Sequence, residues 1–498
     1  MPVNRTVVQQ WLLILAATFA VVWAIVRACV QSVTIDEADT YVFFVYRSLS
    51  WAWYPSSNNH LLNTLLISMT THLFGASSIT VRAPALLGAI LYVSICYFLC
   101  RSITDRFSLQ LPLFICLTYN PFILDFMVAA RGYSLATAFL LAAITIPVWH
   151  LSLRKSCILA SLALALSFSA NFSFAFVDLG AFLVIVTWAI RRRETASVVR
   201  VLGFCVLPGL LVTLLICGYT LANWRHGELW WGAHSLGEMT ESLVQASLYR
   251  LDPRFRAAGW YRLMNLLGPG LLPALGLLCA GQLVVTRIDG TWLQNANARW
   301  LGRFAAALAG IAAFSVLLHW LAFRFYKLPL PLGRTGIYLV PLITLIAGII
   351  AAAPARSLVS QWIRRGITAV FICLACYFLL CLRLTYFKEW QWDADVKDVY
   401  SVLARYNHAY GVKDVGITWW YVAPLNYYRV VSKEEIFPEF KAAIPEPTGR
   451  ESIFVVNGLF DRKFLEQERL VTVYRGKSTD VTVAVRPGGP IPTTRVEP

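Results

Sequence analysis

Asp36, Glu37 and Asp39 fall within four consecutive residues of Thr34-Ile-Asp-Glu-Ala-Asp-Thr-Tyr41, just past the first apolar segment, and are three of only twelve acids before position 387. An ionised carboxylate at a membrane surface can take the proton of an attacking hydroxyl as a general base. A local role is equally open: Thr34 with Glu37 fits a capping box, and acids in a first helical turn face the positive end of its dipole. Cations close by in the fold would favour chemistry, and two later stretches supply them. A long loop near 224–262 holds Trp224, Arg225, His226, Trp230, Trp231, His234, Tyr249, Arg250, Arg254, Arg256, Trp260, Tyr261 and Arg262. Loops of that length are functional or disordered, and this one is too aromatic for disorder. The second stretch carries Arg324, Lys327 and Arg334 with no acid among them, interleaved with Pro329 and Pro331. A phosphate group is the economical partner for such cations, against the plainer alternative that aromatic and basic residues anchor the chain at the interface.

These residues sit in a chain of 498 residues that is 58% hydrophobic and 14% charged, which excludes an ordinary soluble domain and indicates a polytopic membrane protein. The net charge of +16 belongs entirely to residues 1–386, since the remainder carries fifteen basic and fifteen acidic side chains. That excess reads as a topology signal rather than a nucleic-acid footprint. All eleven cysteines precede residue 387, mostly within apolar runs, and behave as small hydrophobes. Cys373, Cys376 and Cys381 have no loop to shape a zinc site.

Apolar segments capable of crossing a bilayer begin with 11–30, read as an uncleaved first helix because it lacks a small-residue cleavage site. Others follow near 81–100, 109–124, 132–152, 156–171, 174–190, 197–220, 266–286, 304–323, 334–353 and 366–386, making about eleven spans. Alternate connections are basic: Arg101 with Arg106, Arg154 with Lys155, Arg191 to Arg193 with Arg200, Arg287 with Arg299 and Arg303, and Arg356 with Arg364 and Arg365. The positive-inside rule then puts the N-terminus in the cytoplasm and the acidic turn outside, together with everything after residue 386. His60 to Gly75 is too short to upset that parity and is expected to be re-entrant or interfacial, while Asp36 to Ser50 suits a helix lying at the bilayer surface. Asp125 and Arg131 bracket the turn between the third and fourth spans and can pair with each other. Asp178 lies within a span, where a charge is costly and kept for a reason, bonded to Asn171 or to a neighbouring helix.

Residues 387–498 read as a separate soluble α/β domain. Helices are expected at 395–406 and 462–468, strands at 414–421 and 451–456, and a closing hairpin over 470–474 and 480–485. The aromatic stretch Trp419 to Tyr428 suits either a carbohydrate or lipid contact surface or a strand followed by a helix in an ordinary core.

In order along the chain stand Asp36-Glu37-Ala-x-x-Tyr41, Asn59-His-Leu-Leu-Asn-Thr64, Arg82-Ala-Pro84, Ala130-Arg-Gly-Tyr133 and Gly333-Arg-Thr-Gly-Ile-Tyr-Leu-Val-Pro341. This set resembles the GT-C superfamily of membrane glycosyltransferases, in the branch with protein O-mannosyltransferases, aminoarabinose transferases of lipid A and RgtA/B/C/D-like bacterial enzymes. The resemblance covers about the first 350 residues, with a bulkier residue usual in the family where Gly132 stands. It implies a helical GT-C fold of about eleven spans with interfacial helices in the first outer loop. The implied activity is transfer of a sugar from a polyprenyl-phosphate donor to a lipid, polysaccharide or protein acceptor, outside what is expected to be a bacterial inner membrane. By resemblance Asp36 is the catalytic base, Glu37 helps hold the site, and Arg131, Lys327 or Arg334 meets the donor phosphate. Tyr41, His60, Asn63, Asp125, Tyr133 and Asp178 are candidate pocket residues. The resemblance implies no definite cofactor, and His60 with Asp36 or Glu37 could hold a divalent metal. The rival reading is a transporter or flippase of a lipid-linked or anionic solute, which should place charges near the bilayer midplane on paired repeats.

Overall fold

The computed structural model describes residues 5–149, 151–193, 197–224, 227–248, 259–432 and 436–488, the side chains of residues 5, 6 and 259–269 excepted. Arg225, His226, Tyr249, Arg250, Arg254 and Arg256, and the side chains of Trp260, Tyr261 and Arg262, therefore lie outside the described residues.

The polypeptide opens with α1 (Arg5–Val30), then α2 (Ile35–Asp39), which runs directly into a π-helical turn over Thr40–Val45. There follow α3 (Leu61–Phe74), α4 (Ser78–Ile103), α5 (Phe107–Thr118), α6 (Pro121–Phe126), α7 (Tyr133–Thr145), α8 (Leu153–Ala170), α9 (Ala175–Arg192) and α10 (Val198–Ala222). The membrane part continues through α11 (Leu236–Ser247), α12 (Gly259–Ile288), α13 (Ala296–Tyr326), α14 (Leu339–Ala352) and α15 (Leu358–Leu380). Eight of these, α1, α4, α8, α9, α10, α12, α13 and α15, are long and apolar enough to cross a membrane. The expected spans at 109–124, 132–152 and 334–353 coincide instead with the shorter apolar helices α5, α7 and α14, and the 60–75 segment with the equally short α3. Two of the three are shortened for visible reasons. At the end of α5 the Asn120 side chain accepts the Phe122 amide and Pro121 takes the first position of a new helix, so the chain turns rather than continues. Ahead of α14, residues Gly333–Gly336 form a 3₁₀ turn that keeps Arg334 out of the helix. Helix α4 packs against α1, α3, α5 and α7, and Gly88 lets α7 approach so closely that a Cβ there would stand 2.6 Å from the Leu135 amide nitrogen.

Beyond α15 come α16 (Val396–Tyr410), β1 (Val415–Ile417), α17 (Trp419–Val431), β2 (Ile453–Asn457), α18 (Arg462–Gln467), β3 (Val471–Arg475) and β4 (Val481–Val485). The sheet order is β1-β2-β4-β3, with β1 parallel to β2 and the other neighbours antiparallel. The strand expected over 414–421 stops at Ile417, because Trp419 to Val431 is helical and Thr418 carries the extended backbone of a cap.

This part does not stand apart from the acidic turn. Val33, Ala38, Tyr41, Val42 and Val45 share one buried cluster with Val399, Leu403, Tyr421, Leu425 and Tyr427. The 36–50 stretch is helical over Ile35–Val45 and leaves Phe43, Tyr46 and Leu49 exposed as a surface helix would, while Tyr41 packs edge-on against Tyr427, ring to ring at 5.6 Å.

Candidate active site

The two central acids of the turn face different surroundings. Thr34 caps α2, its hydroxyl accepting the Glu37 amide while Glu37 accepts the Thr34 amide at 2.9 Å, so the capping box closes in both directions. The same carboxylate receives Arg82 Nε at 2.9 Å, Arg82 Nη2 at 2.7 Å and the Ala130 amide at 2.8 Å. Arg82 spends its other N–H groups on the carbonyls of Ala28, Gln31 and Ser32. Burial works to raise the Glu37 pKa, but Arg82 and the two amides outweigh it and hold the carboxyl below its usual value. With both side chains fully buried and every oxygen engaged, Glu37 ties α2, α4 and the Ala130 turn together and cannot also meet a substrate.

Asp36 points the other way. Its Oδ2 accepts Arg334 Nη1 at 2.6 Å and Trp390 Nε1 at 3.2 Å, and lies 3.8 Å from Arg131 Nε. Burial raises its pKa, yet the two guanidiniums and the indole hold it below the usual carboxylate range, so it stays ionised at neutral pH. Arg334 also meets Glu389 Oε1 at 2.9 Å, with Trp231 and Trp390 on its faces at 5.2 and 5.6 Å. Asp39 lies one turn on from Asp36. Burial first and the Asp36 charge second push its carboxyl up to about 7, against the pull of Arg131.

Of the three candidate phosphate cations, Arg131 is buried and committed to protein, its Nη1 reaching the Asp36 carbonyl, Thr40 Oγ1 and the Asn58 carbonyl and its Nη2 reaching Asn58 Oδ1. Lys327 is the exposed, left-handed cap of α13 and touches none of this cluster among the described residues. Of the three, Arg334 donates the hydrogen bond to the Asp36 carboxylate, and Arg131 pairs with it only at 3.8 Å.

His60 and Tyr133 meet edge to face at 5.6 Å, and both His60 ring nitrogens are buried without a partner among the described residues. Burial, then Arg131 and Arg334, hold this imidazole neutral. Asn63 donates to the Ala130 carbonyl at 2.9 Å, and its Oδ1 has no partner among the described residues. Gly132, at φ +73°, explains itself: a Cβ would lie 2.1 Å from the Ala170 carbonyl oxygen, so nothing bulkier fits this turn.

Two expectations are corrected, those for Asp125 and Tyr41. Asp125 pairs with Arg27 at 2.7 Å and accepts the Lys388 amide, not Arg131. Asp178 accepts Ser167 Oγ on α8 at 2.9 Å, the neighbouring-helix partner of the two that were expected, and it lies in the first turn of α9 within the candidate span Phe172–Arg192. Tyr41 belongs to the packing under Tyr427. Sequence reading passed over Glu389, Trp390 and Trp231's contact with Arg334; only the charge of Glu389 beside the last apolar run could have signalled it. A metal does not fit: Glu37 has no free lone pair toward His60, and among the described residues no three His, Cys, Asp or Glu side chains converge.

The segments that charge bias assigns to the outer face therefore meet at one end of the bundle as a carboxylate, an arginine and an aromatic wall. No family model and no curated protein matches the sequence. Among solved structures the chain is similar to ArnT from Cupriavidus metallidurans in the apo state, with a TM-score of 0.53 at 11% identity over 95% of this chain and 97% of that one. The structure described as that protein bound to undecaprenyl phosphate gives 0.49, again at 11% identity and with the same coverage. The likeness to the apo structure runs through nearly the whole length of both chains, and on it this protein has the fold of the GT-C membrane glycosyltransferases.

Proposed function

We propose that this protein transfers a sugar from a polyprenyl-phosphate donor to an acceptor hydroxyl on the extracytoplasmic face, by a single inverting displacement with Asp36 as general base. The observation that carries the reading is the 2.6 Å contact between Asp36 and Arg334 under Trp390 and Trp231, within a GT-C fold. ArnT, an aminoarabinose transferase, offers the precedent for sugar transfer on this fold. The acceptor oxygen loses its proton to Asp36 as it attacks the anomeric carbon, which passes through an oxocarbenium-like state. The C–O bond to phosphate breaks, and Arg334 stabilises the leaving phosphate as its charge grows. No covalent enzyme intermediate is needed. Residues 1–386 form the catalytic domain and 387–498 an extracytoplasmic domain packed on the acidic turn, with the N-terminus in the cytoplasm of a bacterial inner membrane. The transporter alternative loses ground because Asp36, Arg131, Arg334 and Glu389 gather in one cluster outside the candidate spans.

Arg334→Ala tests the phosphate role. With a defined polyprenyl-phosphate sugar, KM for the donor is expected to rise about 10- to 100-fold, the worth of one charged hydrogen bond. Unchanged donor dependence assigns phosphate elsewhere. Mass spectrometry of envelope glycans with and without the gene identifies the sugar.

A second reading rests on Asp39, one helical turn on from Asp36, where burial and the Asp36 charge push the carboxyl up to about 7. If it, rather than Asp36, takes the acceptor proton, kcat/KM rises with pH through about 7 as Asp39 ionises and levels off above. That limb then disappears in Asp39→Asn; a wild-type profile that is flat through pH 7 leaves Asp36 as the base.

A further inference from the structure

Arg334 carries one positive charge and meets two carboxylates, Asp36 at 2.6 Å and Glu389 at 2.9 Å, both through the same nitrogen. A lipid phosphate arriving at this guanidinium would be a third anion on a single cation, so one carboxylate has to give way. The two are not equally held. Asp36 is also bonded by Trp390 and approached by Arg131, while Glu389 has no second hydrogen bond among the described residues. Burial, and the Asp36 charge, further disfavour the ionised Glu389 despite Arg334.

The backbone around Glu389 is pinned on both sides. The Lys388 amide donates to Asp125 Oδ2 at 3.0 Å, its Nζ reaches the Gln245 carbonyl, and the Trp390 indole is bonded to Asp36. Glu389 can therefore leave Arg334 by side-chain rotation alone, without displacing the segment that leads into the C-terminal domain. Space exists beside it: a cavity of about 220 Å³ is lined by Glu389, Lys388, Trp231, Gly333, Ser242 and Phe126. The Trp231 and Trp390 rings hold the guanidinium plane while its anionic partner changes.

We propose that Glu389 is a placeholder for the donor phosphate: it neutralises Arg334 in the empty enzyme and swings aside into the adjoining cavity when the phosphate reaches Arg334. The proposal rests on the sugar-transfer reading above. It makes Glu389 a positioning residue that keeps Arg334 aimed at Asp36 between turnovers, at a cost in donor affinity. A ligand that binds only the fraction of molecules with Arg334 released has its affinity reduced by that fraction.

The test is direct binding of a sugar-free C55 polyprenyl phosphate to the full-length protein in detergent, comparing wild type with Glu389→Gln, Glu389→Ala and Arg334→Ala. Glu389→Gln keeps the side chain's shape without its charge, and Glu389→Ala removes both. Each is expected to bind about 3- to 10-fold more tightly than wild type, with a matching fall in KM for the donor, and a merely structural residue would not gain affinity on removal. Equal or weaker binding by both variants, with Arg334→Ala clearly weakened, overturns the exchange and leaves the donor reading intact. Wild-type binding by Arg334→Ala overturns the exchange and assigns the phosphate to another residue.

Discussion

Asp36→Asn is expected to lower turnover by about 10²- to 10⁴-fold, the contribution of a positioned general base, while the protein folds and inserts normally. The amide keeps the shape of the side chain and can still accept from Arg334 and Trp390, the two groups bonded to Oδ2. What it lacks is a lone pair basic enough to take a proton from a hydroxyl. Asp36 starts as a weak base, because Arg334 and Arg131 hold its pKa down. Donor binding alters this: a phosphate that draws on the Arg334 charge weakens the grip on Asp36, so its basicity rises when a leaving group is in place. Since the carboxyl is ionised well below neutrality, the Asp36 mechanism gives no pH limb of its own near 7. Single-turnover rates with a defined donor, beside a thermal melt of the same preparation, decide the matter. Wild-type turnover in Asp36→Asn removes Asp36 as base, and a lowered melt with proportionate loss of activity reassigns it to structure.

The membrane architecture was readable because its signals are local. Apolar runs located the helices, with ends that differ by up to about eight residues, as at the starts of α13 and α15, and overran where single residues turn the chain, as Asn120 and Pro121 do after α5. The helical stretch at Trp419 misled for a related reason. Aromatic residues favour strands by propensity, but what they fit is a half-buried surface, and packing of Tyr421, Leu425 and Tyr427 under the acidic turn provides that to a helix. In the site, Asp36, Arg131 and Arg334 stood out as charges where few are expected. Their partners did not. Arg82 with Glu37, Arg27 with Asp125, and Glu389 with Arg334 are contacts across 45, 98 and 55 positions, and nothing in periodicity or spacing encodes them. The acidic turn was weighed as either a helix cap or a chemical site; both apply, one residue apart, with Glu37 closing the capping box and Asp36 facing Arg334.

That division predicts opposite phenotypes for neighbouring carboxylates. Glu37→Ala leaves Arg82 charged and fully buried against three carbonyls with no counter-ion, a change that costs about 3–5 kcal/mol in comparable buried pairs. Set against a native stability of about 5–15 kcal/mol, this is expected to deplete folded protein from the membrane, whereas Asp36→Asn leaves it in place. Arg82→Met should be as damaging, since it strands the Glu37 carboxylate. Combining Glu37→Met with Arg82→Met removes both charges and in many proteins would be close to neutral, but here rescue should be partial. The carbonyls of Ala28, Gln31 and Ser32 and the amides of Thr34 and Ala130 lose their partners whichever apolar residue fills the space. Because Arg82 holds Glu37 below its reference pKa of 4.5, the pair's contribution is complete above about that pH and is lost as pH falls through the lower folded value. Melting temperatures of the detergent-purified variants should therefore rank wild type above the double variant and the double variant above either single one. A double variant no better than the singles would mean that the backbone bonds, rather than the charge pair, secure the turn that presents Asp36.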